Sequence, residues 1–278
     1  MKIRKLLSAS VLMLILIISV SLASSCGGGS KEIVIVAGST SVQPYAEVLS
    51  EEYAKLHPDI QINIQGGGSS AGIASAQSGA ADIGMSSRNL KADENALLWS
   101  VEIARDGIAI IVNPKNSVQN LTMEQVRGIY TQKIANWSEV GGPDAKINII
   151  TREEGSGTRT SFEDLVMNKE LISLKALVQN SNGSVRQLVG GDPNSIGFIS
   201  LGLVDATVKS VQLDGVDATD ANILNGAYKL ARPFLFVTKG EPAGAAKDFI
   251  DYVLSADGQR ILVTEGLISV TGTTEENK

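Results

Sequence analysis

The sequence is poor in the residues on which disulfides, metal centres and most hydrolases depend. Cys26 is its only cysteine, so no intramolecular disulfide can form. His57 is its only histidine, and it precedes the GSSAG segment at 68–72, whereas the hydrolase elbow needs a histidine after its serine. No His, Cys, Asp and Glu cluster has metal-ligand spacing, and no GxxxxGK[ST] loop is present. We therefore predict no enzyme, no cofactor and no metal, with a serine hydrolase or phosphatase-type enzyme as the weaker alternative.

Basic charge is also scarce. The chain has 24 Lys and Arg against 30 Asp and Glu, a formal net charge of −6. Loss of the N-terminal Lys2, Arg4 and Lys5 would move this to −9. Nucleic-acid binding depends on clustered Lys and Arg, so we predict no nucleic-acid partner. Any bound anion must be held by local geometry, because the overall field opposes it.

The N-terminus has the pattern of a secretory signal. Basic residues are followed by an apolar stretch from Leu6 to about Val20, which is too short for a membrane span. LASSC then resembles a bacterial lipobox ending in Cys26, although Ala23 stands where leucine is more usual. We predict a signal peptide over 1–25, a lipid on Cys26, a tether over 26–31, and anchoring to the cell envelope after secretion. An ordinary signal with an incidental cysteine is the alternative.

The remaining 253 of the 278 residues suffice for two lobes. Short apolar runs alternate with helix-compatible segments, which is typical of an α/β fold. We expect each lobe to have a mixed, mainly parallel sheet flanked by helices. Strands are expected near 33–37, 60–64, 81–85, 107–112, 146–150, 195–200, 208–213 and 233–238.

Two chain breaks predict how the lobes are divided. Asn113 and Pro114 follow one apolar run, and Arg232 and Pro233 precede another. We place the interlobe crossings there, so that lobe 1 comprises 32–111 with 233–278 and lobe 2 comprises 112–232. A ligand would then lie in the interlobe cleft, at helix N-termini beyond the carboxyl ends of strands.

The segment ITREEGSGTRTSF at 150–162 predicts an anion-binding turn. The amides of Ser156, Gly157 and Thr158 would be unpaired donors at a helix start, where the helix dipole adds positive potential. Arg152 can grip a tetrahedral oxyanion with two parallel hydrogen bonds, and Gly155 and Gly157 let the backbone approach closely. An ordinary helix cap is the alternative for this motif.

Two further strand-to-helix junctions have the same construction. Gly38, Ser39 and Thr40 follow the first apolar run, and the GGGSS segment at 66–70 follows the second. If the three junctions converge, their amides and hydroxyls form a cage of neutral donors around one small anion. Glycine-rich turns with a purely steric role are the alternative.

Together with other segments, these motifs carry a family resemblance over nearly all of the chain after the signal. The segments are GSTSVQP at 38, GGGSSAGI at 66, ADIGMSSR at 81, DGIAIIVNP at 106, IYTQKIANWSEVGG at 129, TREEGSGTR at 151, SIGFIS at 195 and ARPFLFVTKG at 231. They resemble the phosphate-binding protein of bacterial ABC phosphate importers. The resemblance implies a type II periplasmic-binding-protein fold, a monomer whose lobes close on inorganic phosphate, and delivery to the ABC permease subunits.

The resemblance also implies which residues bind phosphate. The family's contacts fall on Ser39, Thr40, Ser69 or Ser70, Arg152, Ser156, Gly157 and Thr158. Glu154 stands where the family often has an acid that orients the arginine; a surface carboxylate is the alternative.

One position departs from the family. Ser87 stands where members have an aspartate that accepts a proton from phosphate and rejects sulfate. We expect the Ser87 hydroxyl to bind the ligand. Because a hydroxyl can donate or accept, another tetrahedral oxyanion such as sulfate is an alternative ligand. Arg88 would add a second cationic contact, or be a solvated or ion-paired arginine. An extracellular adhesion or signalling protein with the same fold is a third alternative.

Overall fold

The structure is a computed structural model that describes residues 31–270. The predicted signal peptide, most of the tether and Cys26 lie outside these residues, so their assignments remain predictions. Within 31–270, the helices are all too short or too polar to cross a membrane.

Strands of two to 14 residues build the sheets. In chain order they are β1 (Glu32–Gly38), β2 (Ile60–Gly66), β3 (Ile83–Ser86), β4 (Trp99–Val112), β5 (Asn120–Leu121), β6 (Asn148–Arg152), β7 (Leu177–Gln179), β8 (Ser195–Ser200), β9 (Lys209–Ser210), β10 (Gln212–Leu213) and β11 (Ala231–Thr238).

Helices lie between most of these strands. They are α1 (Gln43–Leu56), α2 (Ser69–Ser78), α3 (Ala92–Asn95), α4 (Met123–Tyr130), α5 (Gly157–Phe162), α6 (Asn182–Gly191), α7 (Asp220–Leu224), α8 (Gly244–Leu254) and α9 (Ala256–Thr264). A π-helical turn, Glu163–Met167, continues α5, and 3₁₀ turns lie at Trp137–Val140 and Leu201–Leu203.

One mixed sheet runs through the molecule in the order β2-β1-β3-β11-β4-β8-β6-β7, with β9 also paired to β4. The pairs among β1, β2 and β3, and among β6, β7 and β8, are parallel. Every pair that involves β4 or β11 is antiparallel. Two parallel halves are therefore joined by a central antiparallel pair, which confirms the predicted mixed α/β fold.

Two large apolar cores lie on either side of this central pair. The first core includes Val36, Ala104 and Phe234, and the second includes Ile108 and Leu230. The chain therefore passes from the first core to the second within β4 and returns at the start of β11.

The lobe boundaries stay a prediction. The change of core at the start of β11 lies beside the predicted crossing at 232–233, and the change within β4 lies several residues before the predicted crossing at 111–112. The reason is the length of β4. Its first four residues, Trp99–Glu102, are only half-buried and lack the continuous apolar run by which the later part of the strand was predicted.

Amphipathic patterning explains how α1 is placed. Its buried residues Tyr45, Ala46, Leu49 and Tyr53 recur at helical spacing and join the first core. Leu56, the last residue of α1, is exposed.

Candidate anion-binding site

The turn between β6 and α5 contains the first group of predicted site residues. Gly155 has φ +85°, a conformation that side chains with a Cβ rarely adopt. Ser156 is the N-cap of α5, and its Oγ accepts a hydrogen bond from the Arg159 N–H at 3.3 Å. Gly157 and Thr158 follow as the first helical residues, whose N–H groups have no partner within the helix. The Ser156 N–H donates to Glu153 O at 3.3 Å, so the prediction of an unpaired amide at Ser156 is wrong. Ser156 therefore caps the helix, and the amides of the next two residues remain available.

Arg152, the last residue of β6, is buried with one nitrogen unused. Its Nε and Nη2 donate to the two carboxylate oxygens of Glu153 at 2.9 and 3.0 Å. Nη2 also donates to Thr40 Oγ1 at 3.0 Å, across to the β1–α1 turn. Nη1 is buried and has no hydrogen-bond partner among the described residues. A fixed guanidinium with a free Nη1 is suited to bind an oxyanion.

The carboxylate that orients Arg152 is Glu153, so the role predicted for Glu154 is wrong. Glu154 is exposed in the turn. Glu153 donates its N–H to Gln179 O at 3.1 Å, extending the pairing of β6 with β7 by one residue. This extension holds the Glu153 side chain beside the guanidinium, whereas the chain has already turned away at Glu154.

The second predicted junction packs directly against the first. A Cβ built on Gly157 would clash with Ser69 Oγ and would lie 2.6 Å from Ser87 Oγ. Ser69 Oγ in turn accepts a hydrogen bond from the Ser87 N–H at 3.0 Å. The start of α2, the residue after β3 and the start of α5 therefore meet at one point, and this close approach requires glycine at 157.

The third junction contributes less than its sequence suggests. The Ser39 N–H donates to Met85 O at 3.0 Å, and Ser39 Oγ accepts from the Ser41 N–H at 3.2 Å. Both groups of Ser39 therefore hold the turn together, and the hydroxyl hydrogen is the donor that Ser39 has left for a ligand. Thr40 contacts the candidate site through its bond from Arg152.

Ser70 and Arg88 lie beside the site and are engaged with other groups. The Ser70 N–H donates to Gly155 O at 3.0 Å, and Ser70 Oγ accepts from Arg88 Nη2 at 3.3 Å. Arg88 also donates from Nη1 and Nη2 to both oxygens of Glu94, at 2.7 and 2.8 Å. These hydrogen bonds hold the pKa of Glu94 below its usual range. Arg88 is therefore the ion-paired arginine of the alternative interpretation, and Ser69 is the better-placed serine of its pair.

Behind Thr158 lies a buried polar network that the sequence did not predict. Arg232 Nη1 donates to Thr158 Oγ1 at 2.7 Å, and Nε and Nη2 donate to Asp106 Oδ2 at 2.9 and 2.8 Å. Ser41 Oγ lies 2.8 Å from Thr158 Oγ1 and accepts a bond from Asn182 Nδ2 at 2.9 Å. These side chains connect the two cores beside the candidate site.

Burial opposes the charges of this network. It raises the pKa of Asp106 and lowers the pKa of Arg232, although each stabilises the charged form of the other. The two residues are 126 positions apart, and neither stands in a local motif for ion pairing. The only sequence signal was a charged residue directly before each of two predicted strands, 107–112 and 233–238.

The charged side chains around the site are paired with opposite charges, so the site has little net charge. Within 31–270, no three His, Cys, Asp or Glu side chains are grouped so that they could hold a metal ion. The buried arginines around the site each have a carboxylate partner: Arg88 with Glu94, Arg152 with Glu153, and Arg232 with Asp106. An anion here would be bound by hydroxyls, amides and oriented guanidinium N–H groups, as a compact desolvated solute requires.

Comparison with known proteins agrees with this arrangement. A family model described as a PBP superfamily domain matches residues 24–257. The fold and this family match define the protein as a periplasmic binding protein. Phosphate-binding protein PstS of Bacillus subtilis (strain 168) is 32% identical over 282 residues, covering 94% of each chain.

Two solved structures narrow the class further. A phosphate ABC transporter substrate-binding protein from Clostridium perfringens with bound phosphate is 46% identical, with TM-score 0.83, over 86% of this chain and 100% of that one. An ABC-type phosphate transport receptor from Vibrio cholerae is 42% identical, with TM-score 0.72, over 84% and 99%. The chain belongs to the family of phosphate-binding proteins of bacterial ABC phosphate importers.

Proposed function

We propose that this protein binds inorganic phosphate between its two lobes and delivers it to the permease of an ABC importer, without catalysing a reaction. The observation that carries the proposal is Arg152, which is buried and fixed by Glu153, while its Nη1 has no hydrogen-bond partner within residues 31–270. Burying a guanidinium nitrogen without a hydrogen bond costs free energy, which an oxyanion bound at Nη1 would offset.

The proposed ligand shell combines donors from both lobes. Its members are Ser39, Thr40, Ser69, Ser87, Arg152, Ser156, Gly157 and Thr158. Their hydroxyls and amides replace the water around the anion, and Arg152 supplies the charge-assisted bonds. Ser70, Arg88 and Glu153 support this shell from behind.

Binding is proposed to occur by closure of the lobes. Interlobe bonds such as Arg152 Nη2 to Thr40 Oγ1 and the Ser70 N–H to Gly155 O form only when the two halves meet. The hinge would be the antiparallel pair of β4 and β11, where the chain passes between the cores near Ala104 and Phe234. A permease could distinguish this closed form from an open one.

The proposal includes the location of the protein. The signal-like segment 1–25 and the lipobox-like Cys26 support secretion and a lipid anchor that holds a monomer at the cell envelope. Mass spectrometry of the N-terminal peptide from membrane fractions tests this: an unmodified Cys26 would remove the anchor from the proposal.

A second ligand, sulfate, is favoured by one observation. Ser87 is fully buried beside Ser69, and its hydroxyl stands where family members have the aspartate that rejects sulfate. The carboxylates of Glu94, Glu153 and Asp106 are engaged by arginines, so none of them is free to replace that aspartate.

Titration calorimetry with separate anions tests the proposed function. We expect phosphate to bind with a dissociation constant of about 1 μM or tighter, as for a fully enclosed ligand. Nitrate, a planar anion, is the control and should give no heat of binding. Equal affinity for sulfate and phosphate would identify a general oxyanion receptor, and absence of phosphate binding would refute the proposal. Hydrolysis of p-nitrophenyl phosphate would refute the non-catalytic part.

A further inference from the structure

Arg232 and Asp106 form an ion pair at the crossing between the lobes. They stand opposite each other in the antiparallel pairing of β11 with β4, and both side chains are 1% exposed. Asp106 Oδ2 accepts two bonds from Arg232, and Oδ1 accepts a third from Ser200 Oγ at 2.8 Å. Buried ion pairs are often no more stabilising than apolar residues of similar volume. Stability alone therefore does not account for this pair.

The guanidinium of Arg232 has N–H groups beyond those that Asp106 binds. Nη1 donates to Thr158 Oγ1 at 2.7 Å, and Nη2 donates to Ser41 Oγ at 3.3 Å. Ser41 lies in the turn between β1 and α1, and Thr158 is the second residue of α5, so the two hydroxyls come from opposite lobes. Arg232 therefore contacts both sides of the candidate site from behind.

The direction of the hydrogen bonds at Ser41 follows from its partners. Asn182 Oδ1 accepts from the Ser200 N–H at 3.2 Å, which fixes the orientation of its amide. Asn182 Nδ2 therefore donates to Ser41 Oγ, at 2.9 Å, as Arg232 Nη2 also does. With both lone pairs engaged, the Ser41 hydroxyl has to donate its own hydrogen, and Thr158 Oγ1 at 2.8 Å is the acceptor.

The same count of lone pairs and hydrogens assigns the hydrogen bonds of the Thr158 hydroxyl. Its Oγ1 accepts from Arg232 and from Ser41, which engages both lone pairs. The Thr158 hydroxyl hydrogen is left to donate to a third group. Thr158 lies directly after Gly157 at the meeting point of the three turns, so an anion bound there is the acceptor within reach.

We propose that Arg232, held by Asp106, is a positioning residue that makes the Thr158 hydroxyl an obligate donor to the bound oxyanion. This inference rests on the proposed function, because it assigns one donor of the same site. An obligate donor cannot accept a hydrogen bond from a protonated ligand oxygen. Any proton of a bound phosphate would therefore lie on an oxygen that does not face Thr158.

A double-mutant cycle on phosphate affinity tests the proposal. The Asp106→Asn/Arg232→Gln variant removes both charges together, so that no unpaired charge is left buried. Its phosphate affinity is compared with that of the wild type. The same charge-removing substitutions are then made in a Thr158→Val variant and compared with Thr158→Val alone. We expect phosphate affinity to fall about tenfold or more when Thr158 is present and by less than about threefold when it is valine. Equal losses in both backgrounds would overturn the proposal, because a merely structural role does not require the hydroxyl.

A control variant and a measurement of folding separate a loss of phosphate affinity at the site from a general effect of the substitutions. Arg260→Gln removes an exposed arginine paired with Asp257 and should leave phosphate affinity unchanged. Thermal unfolding reports whether each variant is folded. If the charge-removed variant does not fold, Ser41→Ala replaces it in the same cycle, since it frees a lone pair of Thr158, and the same two outcomes apply. A wild-type protein without phosphate affinity overturns both proposals, whereas equal losses overturn only this one.

Discussion

Arg88 and Arg152 are both buried, both flank the candidate site and both bind a glutamate with two hydrogen bonds. They differ in which nitrogen is left over. Among the residues that the structure describes, Arg88 has partners for both terminal nitrogens and none for Nε, whereas Arg152 has none for the terminal Nη1. Nη1 has two N–H groups at the tip of the side chain, whereas Nε has one along its stem. A buried arginine is thus a candidate ligand contact when its tip remains unpaired, whatever its charge partner.

The largest expected effect separates the two arginines directly. Arg152→Gln should weaken phosphate binding by about 2–5 kcal/mol, because it removes the charge-assisted bonds to a desolvated ligand. Arg88→Gln should weaken phosphate binding far less and lower mainly the free energy of unfolding. Calorimetry and denaturant unfolding of both variants measure these quantities. Similar losses of affinity would remove the distinction between the two residues.

A smaller effect is expected where the turn of Arg152 meets the segment before Arg88. Gly157→Ala would place a Cβ against Ser69 Oγ and Ser87 Oγ, and the crowding should cost about 1–3 kcal/mol of phosphate binding energy. Gly191→Ala is the matched control, because a Cβ there meets no atom within 4 Å. Unchanged affinity in the Gly157 variant, measured by calorimetry, would mean that the two turns need not approach this closely for binding.

The third prediction concerns the acid that orients Arg152. Glu153→Gln should weaken phosphate binding by about 1–2 kcal/mol, since the guanidinium loses a charged partner that fixes its position. Glu154→Gln alters an exposed side chain in the same turn and should have no effect. The phosphate dissociation constants of the two variants show which glutamate orients Arg152. A larger loss of affinity for Glu154→Gln would restore the sequence-based assignment.

The smallest effect is a pH dependence of stability on the Arg88 side. The folded-state pKa of Glu94 is lowered by Arg88, so this contact stabilises the fold above the unfolded-state pKa. The contribution is lost as the pH falls through the lowered folded-state pKa. Glu94→Gln should therefore reduce the free energy of unfolding by about 1 kcal/mol at neutral pH. Urea unfolding at neutral and acidic pH should show this difference shrinking on acidification; a constant difference would contradict it.

The local elements of this protein could be predicted from its sequence. Apolar runs identified strands such as β1 and β8, and the GSGT motif identified the turn that begins α5. Each of these signals acts between residues a few positions apart, where backbone geometry and capping chemistry decide the structure. The first half of β4 was missed because half-buried residues leave no apolar run.

The partners of the site's charged residues depend on the tertiary structure. The sequence determined that Arg152 stands beside a helix N-terminus, since both belong to one short segment. Only the folded chain decided that Glu153 and not Glu154 holds it, that Arg88 is engaged by Glu94, and that Asp106 meets Arg232 across 126 positions. The physical reason is that capping and periodicity are encoded within a turn or two of the chain. Which nitrogen of a buried arginine stays unpaired depends on groups that distant strands bring together.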